Sequence, residues 1–197
     1  MSSSEPLDIK NYIGLTGDTP IRFIASDVDG TLVNDAKSVE PEVVNAVRAA
    51  RESGIRVAIA SGRAWHEMDD VIEAMPCLRY FVCTNGAYVM DKEEQKELVH
   101  ISFDKTCAMD LVRKLMTYGV FVEAYVKAEI FGQYPVVGNE TAQAEHFFRP
   151  NIRPFILKTR TMVPDLLTHL ESLPEGPEKI QIFYGDERIR ERILADL

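Results

Sequence analysis

The stretch Ile21-Arg22-Phe23-Ile24-Ala25-Ser26-Asp27-Val28-Asp29-Gly30-Thr31 decides the fold. Its first six residues read as a short buried strand, and Asp and Gly are poor in strand interiors, so the chain leaves the strand at Asp27. Two carboxylates at i and i+2 then stand at a strand's carboxyl end, where open α/β sheets receive their ligands. One can act as nucleophile and the other as general acid/base. Gly30 allows a sharp turn, and Thr31 brings a hydroxyl for hydrogen bonding near an anion. A helix cap or Asx turn explains a single Asp but requires no pair behind a buried strand.

Working outward, Ser38 is placed to cap a helix with Glu40 and Glu42 in its first turn and apolar residues Val43, Val44, Ala46, Val47 and Ala50 at helical spacing, ending at Gly54. Residues 55–60 form a second strand, followed by Ser61-Gly62-Arg63. Trp65, Met68, Ile72 and Met75 mark a second helix, which Pro76 stops. Residues 80–83 form a third strand, closed by Thr84-Asn85-Gly86. Strands alternating with helices over short connections predict right-handed βαβ units and a parallel sheet. Ser61-Gly62-Arg63 therefore lies at the same rim as the Asp pair. A hydroxyl, free backbone N–H groups and a helix start there suit a phosphate oxygen, although Ser-Gly also opens helices routinely. Thr84-Asn85-Gly86 is either a tight turn or a substrate-facing or hinge segment.

Beyond Gly86 the texture changes. Residues 87–90 and 98–103 read as a hairpin around the charged turn Asp91-Lys-Glu-Glu. Asp104 caps a helix carrying Cys107, Ala108, Leu111, Val112, Leu115 and Met116 on one face up to Gly119. Residues 120–125 and 179–184 read as strands, and 162–170 and 187–194 as helices. The expected organisation is a leader over 1–20, a Rossmann-like α/β core over 21–86 and a second, α+β domain over 87–197.

Composition agrees with a globular protein. The 197 residues are 46% hydrophobic and 27% charged, which excludes collagen-like and broadly disordered chains. Lys and Arg number 22 against 31 Asp and Glu, a net charge of −9 that argues against neutralising nucleic-acid phosphates or anionic lipid. His146-Phe-Phe-Arg149 is better explained as a helix end before Pro150 than as an aromatic-basic nucleic-acid patch. Cys77, Cys83 and Cys107 are odd in number and lack CxxC spacing, so reduced thiols are expected. Neither a secretory signal nor an apolar run of membrane-spanning length is apparent, giving a cytoplasmic, membrane-free expectation. His66, His100, His146 and His169 show no metal-ligand spacing.

The run Asp27-Val-Asp-Gly-Thr-Leu-Val33, the helix into Gly54-Ile55, Ala60-Ser-Gly-Arg63 and Thr84-Asn-Gly-Ala87 together resemble the haloacid dehalogenase-like phosphatases, in particular the Cof-type branch with a large α/β cap. The resemblance implies that Asp27 is a nucleophile forming an aspartyl-phosphate and that Asp29 is the acid/base. It implies Mg²⁺ held by the Asp27 side chain and the Asp29 backbone carbonyl. Thr31, Ser61, Gly62, Arg63, Asn85 and Gly86 become the expected phosphate or substrate contacts. The expected reaction is hydrolysis of a small phosphorylated metabolite such as a sugar phosphate. A phosphomannomutase-type phosphotransferase and a noncatalytic binding or regulatory protein are the alternatives.

The family pattern continues after the cap with a lysine and a Gly-Asp…Asn-Asp loop, whereas this sequence still reads as cap at Leu197. Gly185-Asp186-Glu187-Arg188 is only superficially similar to that loop. Arg63 is the basic residue near the motifs that could offset phosphate charge, helix-surface duty being its other reading. The expectation is an incomplete, poorly active chain whose uncovered core edges favour self-association.

Overall fold

The computed structural model describes residues 20–34 and 38–197; the expected leader, apart from Pro20, lies outside the described residues. The N-terminal half alternates as the sequence predicts, with β1 (Phe23–Ser26), α1 (Pro41–Glu52), β2 (Arg56–Ala60), α2 (Asp69–Ala74) and β3 (Tyr80–Cys83). A 3₁₀ turn over Trp65–Met68 leads into α2. β1 and β2 pair in parallel with Ser26 opposite Ile59, and β2 and β3 do so with Ala60 opposite Val82. All three carboxyl ends therefore share one rim. Val28, Ile59, Met68, Val71, Met75, Leu78 and Phe81 are fully buried beneath it.

Ser38 does not cap α1. Its hydroxyl and backbone N–H both donate to Asn34 Oδ1 at 3.1 Å, while the helix begins at Pro41, whose missing N–H and fixed φ suit a first helical position.

The hairpin that follows Gly86 joins the first sheet. β4 (Tyr88–Asp91) runs antiparallel to β3, with Cys83 opposite Tyr88, and β5 (Lys96–His100) pairs with β4. The first sheet thus has five strands in the order β1-β2-β3-β4-β5 and is mixed rather than parallel throughout. Thr84, Asn85 and Gly86 all have positive φ, which reverses the chain tightly enough for β4 to return along β3. β1 is the outer strand of this sheet, with Phe23 53% exposed.

The second lobe begins with α3 (Lys105–Met116), capped as expected by Asp104, whose carboxylate accepts from Cys107 N at 3.0 Å. There follow β6 (Phe121–Val126), β7 (Glu129–Gln133), α4 (Glu140–Phe147), α5 (Arg153–Thr159), β8 (Thr161–Met162), α6 (Leu166–Ser172), β9 (Lys179–Phe183) and α7 (Glu187–Asp196). The sheet order is β8-β7-β6-β9. The expected helix over 162–170 starts later, at Leu166 behind its Asp165 cap, because Val163 precedes Pro164 and is driven away from helical backbone; its amide donates to Gly132 O at 2.9 Å, just past the edge strand Thr161–Met162. Asp186 caps α7, accepting from Arg188 N at 2.9 Å, and pairs with the Arg188 guanidinium, which is a structural duty. Phe121 anchors an aromatic cluster with Phe147, Phe148 and Phe183, its ring 4.9 Å from that of Phe148, edge to face.

Polar ties join the lobes. His100, at the end of β5, places Nε2 2.6 Å from Glu178 and Nδ1 2.9 Å from Glu175. Among the described residues no helix is long and apolar enough to cross a membrane.

Candidate active site

A cleft of about 390 Å³ opens between the shared strand rim and the second lobe. The first sheet contributes Asp27, Asp29, Ser61, Gly62, Arg63 and Asn85; the second lobe contributes Tyr125, Arg160, Lys179 and Gln181. Thr31 and Gly86 do not line it. The Thr31 amide donates to Val28 O at 3.2 Å within the turn, and Gly86 serves the chain reversal with φ +96°.

Asp27 is exposed, with Oδ1 accepting from the Val28 amide at 2.8 Å. That bond fixes the carboxylate at the end of β1. Gly30, at φ +77°, turns the chain beyond Asp29 in a conformation that L side chains rarely adopt. The loop after β2 is zipped to the loop after β3: Thr84 N donates to Arg63 O at 2.8 Å and Asn85 N to Ser61 O at 3.1 Å. A Cβ on Gly62 would meet the Asn85 side chain at 3.3 Å, so a larger residue there requires Asn85 to give way by a few tenths of an ångström. Ser61 is itself buried, and its Oγ accepts from Arg63 N at 3.2 Å.

Arg63 is not a helix-surface residue. Its side chain is 9% exposed, with Nε donating to Asp29 Oδ2 at 2.9 Å and Nη2 to Asp29 Oδ1 at 2.8 Å. Nη1 donates to Glu67 O at 3.0 Å and approaches Asp70 at 3.3 Å. Burial disfavours the charged guanidinium, but the Asp29 and Asp70 carboxylates more than offset this and hold its pKa above the ordinary value.

The second lobe adds two cations that the sequence reading missed. Arg160 lies in a buried network, with Nη1 2.5 Å from Glu67 Oε1 and Nε 3.0 Å from Glu123 Oε2. Glu123 also accepts from the Tyr125 hydroxyl at 2.7 Å. Lys179 Nζ sits 4.3 Å from the centroid of the Tyr125 ring and donates to Gly62 O at 3.3 Å. Burial, reinforced by Arg160, lowers the Lys179 pKa against the raising influence of Glu123 and Glu67. Only the alternation along β9, which turns Lys179 and Gln181 to one face, could have signalled these contributions.

A hard divalent cation suits the donors at the rim, because carboxylate and carbonyl oxygens are what Mg²⁺ prefers. Among the described residues no group of three or more His, Cys, Asp or Glu side chains is arranged to hold a metal. Asp27 and the Asp29 carbonyl would accordingly supply only part of a coordination sphere, in keeping with a cation that usually retains waters and binds substrate phosphate.

The model of a family described as haloacid dehalogenase-like hydrolase matches residues 24–186. Phosphatase YwpJ of Bacillus subtilis is 30% identical over 125 residues, covering 64% of this chain and 43% of that protein. The 5-amino-6-(5-phospho-D-ribitylamino)uracil phosphatase YcsE of Bacillus subtilis is 30% identical over 86 residues, covering 42% of this chain and 34% of its own length. A haloacid dehalogenase-like hydrolase from Bacteroides thetaiotaomicron superposes with a TM-score of 0.69 at 21% identity, over 90% of this chain and 63% of that one. The chain thus spans less than half the length of these two curated relatives.

Proposed function

The chain belongs to the haloacid dehalogenase-like hydrolases, and from that membership we propose that it is the nucleophile-bearing part of a phosphatase acting on a small phosphorylated metabolite. One observation carries the reading: three successive strand ends bring Asp27, Asp29, Ser61 and Asn85 around a single cleft roofed by cations. The two curated relatives described above are named phosphatases, which supports the same reaction class.

In the proposed reaction an Asp27 carboxylate oxygen attacks phosphorus. The bond from phosphorus to the ester oxygen breaks, and Asp29 delivers a proton to the departing alcohol. Asp29 then takes a proton from the water that attacks the aspartyl-phosphate, releasing inorganic phosphate and restoring Asp27. The Ser61 hydroxyl holds one phosphate oxygen, and Lys179 offsets negative charge from the opposite wall. Such positioning and charge compensation provide most of the rate gain in phosphoryl transfer. Mg²⁺ bound by the Asp27 carboxylate and the Asp29 carbonyl would neutralise phosphate charge and polarise the phosphorus centre.

The test is Mg²⁺-dependent hydrolysis of p-nitrophenyl phosphate by the parent chain and by Asp27→Asn. The amide preserves shape but lacks the nucleophilic charge, so the variant should lose at least about a thousandfold in turnover, equivalent to roughly 4 kcal/mol of barrier. Parent-level turnover by a folded Asp27→Asn protein refutes the assignment.

A further inference from the structure

Next to the phosphate cleft lies a second cavity of about 320 Å³, and the two share Asp29, Arg63, Arg160 and Gln181 in their walls. If Asp29 protonates the leaving oxygen, as proposed above, whatever that oxygen carries extends into this cavity. We infer that the cavity receives a flat aromatic or heteroaromatic leaving group bearing a hydroxymethyl or similar alcohol, in preference to a polyhydroxylated sugar. The inference rests on the phosphatase reading for its orientation, but the recognition it describes concerns the ring alone.

One side of the cavity carries Asp29 and Asp70, both paired with Arg63, and the apolar part of its wall is Ile152, Phe155 and Ile156 from the α5 region and Phe183 from β9. Phe155 is held in place by two guanidiniums, with Arg63 5.4 Å and Arg160 5.8 Å from its ring centroid. Both arginines are in turn fixed by carboxylates, Arg63 by Asp29 and Arg160 by Glu67 and Glu123, so the surface is built before a ligand arrives. A planar ring can lie against these apolar walls while its polar edge turns toward Asn151 and Gln181. A polyol brings hydroxyls on every side and would leave several without partners against Ile152, Ile156 and Phe183. The volume lies at the lower end of pockets that enclose small ligands, about 300–1,000 Å³, which favours one ring system over an extended chain.

A third cavity, of about 350 Å³, shares Phe155 and Asp70 with this one and is the weaker candidate. Neither Asp29 nor Arg63 lines it, so it does not adjoin the group proposed to protonate the leaving oxygen.

The test uses phosphate-free probes, so that ring recognition is read separately from phosphoryl chemistry. The chain, with isoleucine methyls labelled, is titrated with 4-pyridinemethanol and separately with sorbitol, following the Ile152 and Ile156 signals by NMR. Saturable shifts with 4-pyridinemethanol at a Kd at least tenfold below that for sorbitol are expected, together with at least a tenfold loss of affinity in Phe155→Ala. Equal or tighter binding of sorbitol overturns the inference, as does the absence of saturable shifts with 4-pyridinemethanol. If Phe155→Ala does not fold, the comparison of the two probes on the parent chain decides. Inorganic phosphate is titrated in parallel against the Ser61 and Gly62 amides. Phosphate binding without ring binding defeats this inference and leaves the phosphatase reading intact, whereas ring binding without phosphate binding does the reverse.

Discussion

Arg63 grips both carboxylate oxygens of Asp29, at 2.9 and 2.8 Å, and so ties the loop after β2 to the loop after β1 across the mouth of the cleft. A fork of two parallel N–H groups fixes both the position and the plane of a carboxylate, which a lysine cannot do. Arg63 is also a wall of the adjoining cavity and a partner of Glu67 O and Asp70. Asp29 must exchange part of this grip for a leaving oxygen if it is to transfer a proton.

Arg63→Lys is therefore expected to retain charge but lose alignment. Stability should fall by about 1.5–3 kcal/mol, the range for hydrogen bonds to charged groups. Turnover of a generic phosphate ester should drop roughly tenfold or more, at about 1.4 kcal/mol per decade. Urea unfolding and initial rates on the same sample check both. An Arg63→Lys protein with unchanged stability and rate would show that the pairing positions nothing.

The buried network between the lobes gives a second expectation. The side chains of Arg160, Glu67 and Glu123 are 4%, 4% and 0% exposed, so Arg160→Met leaves two carboxylates out of water without their cation. Breaking a buried pair in this way costs about 3–5 kcal/mol, whereas replacing all its charged members together is often close to neutral. Denaturant unfolding should show the large loss for Arg160→Met and substantial recovery when Glu67→Gln and Glu123→Gln are added. A loss below about 1 kcal/mol for the single change would mean the network is solvated in solution.

The first three strands and their loops were legible because short apolar runs, helical spacing and Gly or Pro punctuation act locally. Asp27, Ser61 and Asn85 converge because parallel strands put their carboxyl ends on one side. Sheet membership was less legible: hydrophobic alternation in residues 88–100 shows a hairpin but not which sheet it joins, and the positive φ values of Thr84 and Asn85 decided that. β7 and α5 escaped notice because Glu129–Gln133 and Arg153–Thr159 are short and carry mixed patterns. Arg160 and Lys179 were invisible as site residues, since each acts through partners dozens of positions away.

Acid should weaken the hairpin at a particular carboxylate. Arg79 donates to Asp91, with Nη2 2.6 Å from Oδ2, and this bond, aided by the Glu93 and Glu94 backbone amides and opposed by burial, holds the Asp91 carboxyl below its usual range. A depressed folded-state pKa contributes stability that is fully present above the unfolded value, about 3.9, and is lost as pH falls through the folded value. The difference in melting temperature between the parent and Asp91→Asn should therefore be largest near neutral pH and shrink once Asp91 is protonated. A difference that stays constant from pH 7 to pH 2 would mean that the charge contributes nothing.

Gly176 tests how the connection between the lobes is packed. A Cβ built there would lie 2.2 Å from the Phe103 carbonyl oxygen and 3.2 Å from its carbon, so the obstacle is main chain that cannot swing aside as a side chain can. The same segment is held from the other side, because Phe103 N donates to Pro177 O at 2.9 Å. Gly176→Ala must separate these strands of backbone, at a cost of about 1–3 kcal/mol from overpacking, and should speed hydrogen exchange at the Phe103 amide. Gly119 provides the contrast: at φ +67° it has open space where a Cβ would stand, so Gly119→Ala incurs only the left-handed backbone penalty, about 1–2 kcal/mol, and leaves the Phe103 amide protected. Equal protection of Phe103 in both variants would show that the close approach at Gly176 is not maintained in solution.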